Sequence, residues 1–251
     1  MPIKAITFDL DDTLWPLKPT LIHAENETYE WLKINAEPLT NQFSLADISE
    51  FRFKLFNDDV RFKNQISLVR KETIKAFALR SHYTEAEAIE LAEQAFSIHY
   101  QLRQKVNCYE GVEELLSTLS KQHVLGTISN GNADVKQTCI GHHFSFALSA
   151  EHINSSKPDA LIFNTALSHI ENLMGQRLDP SEVAHVGDDF LCDIVGAKRA
   201  QFKAIWLEGH GHNCMKKHEY QKENASGETE GIVADAIISH IKDLPAALIN
   251  L

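Results

Sequence analysis

The period of the apolar positions changes twice along the chain. In Lys4-Ala5-Ile6-Thr7-Phe8, Ile6 and Phe8 alternate with polar positions, and the run stops at three carboxylates, Asp9, Asp11 and Asp12. That predicts a buried strand over 4–8 with an acidic loop at its C-terminal end. From about 20 to 104 the spacing is helical: Ile48, Phe51 and Leu55; then Phe62, Ile66, Val69, Thr73 and Phe77; then Ala88, Leu91, Ala95, Ile98 and Leu102. A less regular first helix over about 20–36 carries Trp31 and Leu32. Ser44 with Asp47, and Thr84 with Glu87, are capping boxes opening the second and fourth helices. Four helices with short loops predict a small bundle. Residues around 15–19 and 105–109 are expected as two extended hinge strands.

After residue 109 strands and helices alternate. A helix runs through Leu115, Leu116 and Leu119, and a strand over 123–128 ends in Ser129-Asn130-Gly131-Asn132. Further strands are predicted over 144–148, 182–186 and 203–207, with a short strand and closing helix within 233–251. Lys157-Pro158 reads as the start of a helix with proline in its first turn, and a helix is expected over about 193–200. Such alternation predicts an α/β fold, a doubly wound parallel sheet. Residues 1–15 and 108–251 would form this core, and 16–107 an inserted α-helical bundle.

Composition narrows the partners. Lys and Arg number 24 against 35 Asp and Glu, a net charge of −11. That excludes nucleic acid and an anionic membrane as general partners, since both need a basic footprint. No apolar run approaches a membrane span, and no oligomeric state is signalled. Cys108, Cys139, Cys192 and Cys214 show no paired spacing, with Cys139 and Cys192 expected as buried thiols. With no signal peptide, a reducing, cytoplasmic setting is expected. The His-rich stretch 209–218 reads as a solvated loop rather than a metal site.

Polar turns close three apolar strands: Asp9/Asp11, Ser129/Asn130 and Asp188/Asp189, with Lys157 between the last two. In a parallel sheet the C-terminal ends of the strands share one edge, so these groups converge although far apart in sequence. Clustered carboxylates call for a hard cation such as Mg²⁺.

Asp-Leu-Asp-Asp-Thr-Leu, then Ser-Asn after a strand, Lys-Pro, and Gly-Asp-Asp followed by Asp193, together resemble the haloacid dehalogenase-like (HAD) hydrolases, over residues 4 to about 207. More narrowly they resemble phosphatase members with a helical cap inserted after the first strand of a Rossmann-like core. The resemblance implies Asp9 as a nucleophile forming an aspartyl-phosphate, and Asp11 as general acid and then base. It implies Mg²⁺ held by the Asp9 carboxylate, the Asp11 carbonyl and the Asp188 carboxylate. Ser129, the Asn130 backbone and Lys157 would bind the phosphoryl group, and Asp189 and Asp193 would support metal waters or Lys157. Asp12 would support the turn. Family dehalogenases lack the second Asp, because halide departure needs no acid, so Asp11 favours phosphate chemistry. A receiver domain is excluded by the position of the acidic loop and by the insertion.

The expected substrate is a small phosphorylated metabolite. The runs ending in Trp15, Asn132 and Asp189 are similar to the bacterial phosphatases of FMN and of a ribitylaminouracil phosphate. Sugar-phosphate or nucleotide hydrolysis, and a catalytically silent phospho-ligand binder, are the alternatives. Leu14 and Trp15 are expected to shape the leaving-group pocket, and Arg61, Phe62 and Arg70 are weighed as substrate contacts on the cap. Glu110 stands where family members often have proline before the glycine, here Gly111.

Overall fold

The structure is a computed structural model and describes residues 2–209 and 231–251. Cys214 and the His-rich stretch beyond Gly209 lie outside the described residues. The chain divides into two compact units, Met1–Leu17 with Val106–Leu251, and Lys18–Lys105.

In the first unit the strands are β1 (Ala5–Phe8), β2 (Val124–Ser129), β3 (Phe146–Ser149), β4 (Val183–Gly187), β5 (Lys203–Leu207) and β6 (Ala236–Ile238). They form one Rossmann-like sheet in the order β3-β2-β1-β4-β5-β6, parallel throughout. The order reverses between β1 and β4, so their carboxyl ends flank the topological switch point, where ligands bind in open α/β sheets. Phe8 lies opposite Val186, so Asp9 and the segment after Gly187 leave the sheet side by side.

All four β1 residues are buried, because helices cover both faces of a parallel sheet. Ile6, Phe8, Leu125, Val186 and Ile205 pack with Val112 and Leu116 of the helix Val112–Leu119 on one face. Ala5, Ile128, Ala204 and Trp206 pack with Ile162, Phe163, Ala166 and Ile170 of the helix Ala160–Met174 on the other. Period-two alternation along each strand sends neighbours to opposite faces.

The second unit is helical: α1 (Leu17–Asn35), α2 (Glu37–Thr40), α3 (Leu45–Asp58), α4 (Ile66–Arg80) and α5 (Glu85–Arg103). Both expected capping boxes form: Ser44 with Asp47 and Thr84 with Glu87 exchange side-chain and backbone hydrogen bonds. Phe43 and Phe51 meet Phe77 edge-to-face, with ring centroids 4.7 and 5.3 Å apart. Arg61 pairs with its near neighbour Asp59, Phe62 is buried, and Arg70 is taken up within the unit by Glu25.

Arg52 and Arg70 each donate to the same oxygen of Glu25, at 2.6 Å. Burial alone would raise the Glu25 carboxyl, but the Arg70 and Arg52 guanidiniums outweigh it and hold it at about 2. A folded-state pKa below the unfolded value gives stability that is present above the unfolded pKa and lost as pH falls toward the folded one. From 4.5 to about 2, the stabilisation is on the order of 3 kcal/mol. Urea unfolding of Glu25→Gln is therefore expected to show reduced stability at neutral pH and a flatter decline between about pH 4.5 and pH 2. A decline parallel to that of the native chain would contradict this role.

Three local expectations are corrected. Residues 17–19 are not extended: α1 begins at Leu17, anchored where the Asp12 carboxylate accepts the Leu17 N–H at 2.9 Å. Pro19 sits in the first turn, where its missing N–H has no intrahelical partner to lose. Residues 105–109 carry no strand; Tyr109 N–H instead donates to the Leu14 carbonyl at 2.9 Å. Cys139 is exposed and Cys192 half-buried, because Cys139 lies in a turn between the short helical turns Val135–Gln137 and Gly141–His143. Among the described residues no helix is long and apolar enough to cross a membrane.

Candidate active site

The loop after β1 is held by its own polar groups. Asp9 N–H donates to the Val186 carbonyl at 2.9 Å, seating Asp9 between β1 and β4. Asp12 has φ 60°, in the left-handed region, where Asp and Asn are the tolerated non-glycine residues. Its N–H meets the Trp15 carbonyl at 2.7 Å. The Trp15 indole donates to the Asp11 carboxylate at 2.9 Å, which orients that carboxyl. Leu14 and Trp15 are themselves fully buried in the sheet core. They do not shape a leaving-group pocket as expected, since their apolar bodies complete the packing under the loop.

Lys157 joins the distant segments. Its ammonium donates to Asp9 Oδ1 at 2.5 Å and to Asp193 Oδ1 at 2.7 Å. Asp193 also receives His185 Nε2 at 3.0 Å on Oδ1 and the Asp189 N–H at 3.0 Å on Oδ2. An acceptor-only carboxylate fixes the proton of His185 on Nε2, so Nδ1 accepts from the Thr7 hydroxyl at 2.9 Å. Burial pushes the His185 imidazole down, in the direction of the neutral ring. Gly187 makes room for this arrangement: a Cβ there would lie 2.1 Å from Asp193 Cγ.

The helix expected to open at Lys157-Pro158 begins instead at Ala160, after a turn, and the Lys157–Pro158 peptide is cis. The Asn130 amide clamps this turn. Its Nδ2 donates to the Lys157 carbonyl at 3.0 Å, and its Oδ1 accepts the Lys157 N–H at 2.8 Å. Asn130 thus fixes the backbone that carries the ammonium. Ser129 is buried at the end of β2, and its hydroxyl accepts the Gly131 N–H at 3.0 Å.

Asp188 is oriented from two sides. Thr13 donates to its carboxylate at 3.1 Å, and the Trp206 indole to its carbonyl at 2.8 Å. Carboxylate oxygens of Asp9, Asp188 and Asp193 lie within 4.8 Å of one another. Asp189 is not drawn into that group. Its carboxylate accepts the Cys192 N–H at 2.7 Å and caps the π-helical turn Phe190–Val195.

The electrostatics are unbalanced. Three carboxyl groups face one ammonium, so ionising all three would leave two negative charges in a buried place. Burial pushes the Asp9 carboxyl up to about 7; Lys157 opposes this, and Asp193 adds to it. Burial, then Asp9 and Asp193, push Asp188 up to about 9. Asp193 is the exception: Lys157 and His185 overcome its burial and hold it at about 2. Lys157 is shifted up, because Asp193 and Asp9 together outweigh its own burial. The residual charge and the oxygen-only donors of Asp9 and Asp188 match a hard divalent cation.

His185, Thr7, Thr13 and Trp206 escaped the sequence reading. One signal was present: Thr7 and His185 are polar residues inside two apolar strands, and they lie opposite each other in the sheet. Thr13 and Trp206 left none, since an acidic loop and an apolar strand account for them equally well.

A parallel sheet with buried carboxylates and a lysine at its switch point defines a hydrolase of the HAD kind. A sequence model of the family described as "Hydrolase: haloacid dehalogenase-like hydrolase" matches residues 3–201, and the chain belongs to that family. It is 27% identical over 214 residues to the 5-amino-6-(5-phospho-D-ribitylamino)uracil phosphatase YigB of Escherichia coli strain K12, covering 85% of this chain and 87% of that one. It is 27% identical over 127 residues to a phosphoserine phosphatase of Thermus thermophilus, covering 48% of this chain and 49% of that one. Among solved structures, a 2-haloacid dehalogenase from Pseudomonas syringae pv. tomato DC3000 is 33% identical and superposes with a TM-score of 0.81, over 98% of both chains.

Proposed function

We propose that the chain is a Mg²⁺-dependent phosphomonoester hydrolase working through an aspartyl-phosphate on Asp9. The observation that carries this is the Asp9 carboxylate, held against the Lys157 ammonium at 2.5 Å, with a second oriented carboxyl two residues on at Asp11. The same loop supplies a nucleophile and a proton donor.

Asp9 attacks the phosphoryl group in line, and the substrate oxygen departs. Asp11 gives that oxygen its proton and then takes one from the water that hydrolyses the acyl phosphate. Lys157 faces the charge that gathers on the phosphoryl oxygens, together with the Ser129 hydroxyl and the Asn130 backbone N–H. Asp193 and His185 position Lys157, Asn130 fixes its backbone, and Thr13 aims Asp188. The carboxylates of Asp9 and Asp188 and the Asp11 carbonyl would hold Mg²⁺. When bound, it would screen the repulsion between an anionic nucleophile and an anionic phosphate. The helical unit 18–105 serves as the cap that selects the leaving group, and the free thiols support a cytoplasmic setting.

The expected substrate is the phosphate of a riboflavin-pathway ribitylaminouracil, or FMN, a proposal supported by the likeness to the Escherichia coli phosphatase. A second reading has an observation of its own: the 33% identical neighbour is a dehalogenase. Asp11 separates the two, because an alkoxide leaving group needs a proton and a halide does not. A panel of these two esters, p-nitrophenyl phosphate, sugar phosphates, nucleotides and a 2-haloacid decides it. Phosphate release with preference for the flavin-related esters is expected. Rates on these no higher than on p-nitrophenyl phosphate would remove the substrate proposal, and halide release without phosphate release would establish the second reading.

Chelation is expected to stop turnover and added Mg²⁺ to restore it, with Asp188→Asn weakening the Mg²⁺ requirement curve by about 10-fold or more. Because Asp9 and Asp188 are pushed up to about 7 and about 9, protons compete for these oxygens. The Mg²⁺ concentration for half-maximal rate should therefore rise as pH falls through that window. Full activity in excess chelator would contradict the assignment.

A further inference from the structure

On the surface of the sheet-containing unit Glu113, His142 and His143 converge. Glu113 lies in the first turn of the helix Val112–Leu119, and the histidines in the turn Gly141–His143. A carboxylate oxygen and two ring nitrogens lie within 4.8 Å of one another. Glu113 Oε1 is 2.8 Å from His143 Nε2 and 3.6 Å from His142 Nε2.

The second contact has an unusual polarity. His142 Nδ1 lies 3.1 Å from the Cys139 carbonyl. A carbonyl only accepts, so the ring proton belongs on Nδ1 and Nε2 is left with its lone pair. That lone pair faces the carboxylate, an arrangement that asks for a cation between them. A backbone carbonyl fixing the far nitrogen is also how metal-binding imidazoles are oriented. The two rings lie 3.9 Å apart, centroid to centroid. Two imidazoles and one carboxylate suit Zn²⁺ and its neighbours better than Mg²⁺. Around a tetrahedral Zn²⁺, ligand atoms stand roughly 3.3 Å apart, close to the spacings found. The thiols of Cys108 and Cys139 lie alongside, 4.0 Å from each other, and Glu113 is near enough to act on the Cys108 thiol.

We propose that Glu113, His142 and His143 form a surface site for a divalent transition metal of the Zn²⁺ class, pinning the 138–143 turn to the helix that follows residue 111. His143 donates to Glu113 when metal-free, and its proton moves through solvent from Nε2 to Nδ1 as the metal takes Nε2. The test is a Zn²⁺ titration of the full chain in excess Mg²⁺, comparing the native protein with His142→Ala and Glu113→Gln. His142 and Glu113 are largely exposed, at 64% and 56%, so both variants should fold. The native chain is expected to bind one Zn²⁺ equivalent that each variant loses or binds about 10-fold or more weakly. Its melting temperature should rise with Zn²⁺ by more than that of either variant. Identical stoichiometry, affinity and Zn²⁺-dependent melting in all three proteins would overturn the site. The variants share His210, His212 and Cys214 with the native chain, so binding there cancels in the comparison.

Discussion

Asp9→Asn is expected to lower turnover on any accepted phosphomonoester by on the order of 10⁴-fold or more, because an amide is no nucleophile and no covalent intermediate can form. The fold should survive. Asp9 is buried with its carboxyl pushed up to about 7. An acid whose folded pKa lies above its unfolded one destabilises the native state at higher pH. Removing that charge relieves the cost, so the metal-free variant should melt at or above the native temperature. Rate assays paired with thermal unfolding check both halves. Loss of activity together with loss of folding would recast Asp9 as structural, and near-native turnover would remove it as the nucleophile.

Lys157→Met is expected to strike both properties. The ammonium is the one cation in direct contact with Asp9 and Asp193 among the described residues. Leaving buried carboxylates without it costs about 3–5 kcal/mol when no other group compensates. Protonation of Asp9 near neutral pH absorbs part of that cost, and in doing so silences the nucleophile. The rate should fall by roughly 10²–10³-fold or more, and the residual activity should shift toward higher pH, where Asp9 ionises again. Lys157→Arg keeps the charge but is longer and planar. It is expected to recover stability more fully than rate. A Met variant with native stability and an unshifted pH profile would contradict the charge balance drawn for this site.

Much of this was legible in the chain because it depends on local rules. The period change after Leu14 marked the helical segment, and Thr84 with Glu87 marked the start of its last long helix. The acids after β1 and β4 could be placed together because strand ends in a parallel sheet share an edge. Three-dimensional partnerships were not legible. Asn130 was read for its backbone alone, whereas its side chain holds the Lys157 backbone. Pro158 was read as an opening helical residue, yet that clamp holds the turn outside the helix. Asp189 and Asp193 were indistinguishable in sequence. Only the π-helical turn separates them, sending Asp193 to Lys157 and leaving Asp189 as its cap. Cys108 and Cys139 showed no paired spacing, yet the turn at 138–143 brings their sulfurs to 4.0 Å.

The most direct test is a rapid acid quench during turnover of a substrate labelled in its phosphoryl group. The label should be found on the peptide containing Asp9, should be removed by hydroxylamine as an acyl phosphate is, and should form and decay fast enough to carry the steady-state rate. Label absent from the protein, or carried by a residue other than Asp9, would contradict covalent catalysis by the first carboxylate of the loop.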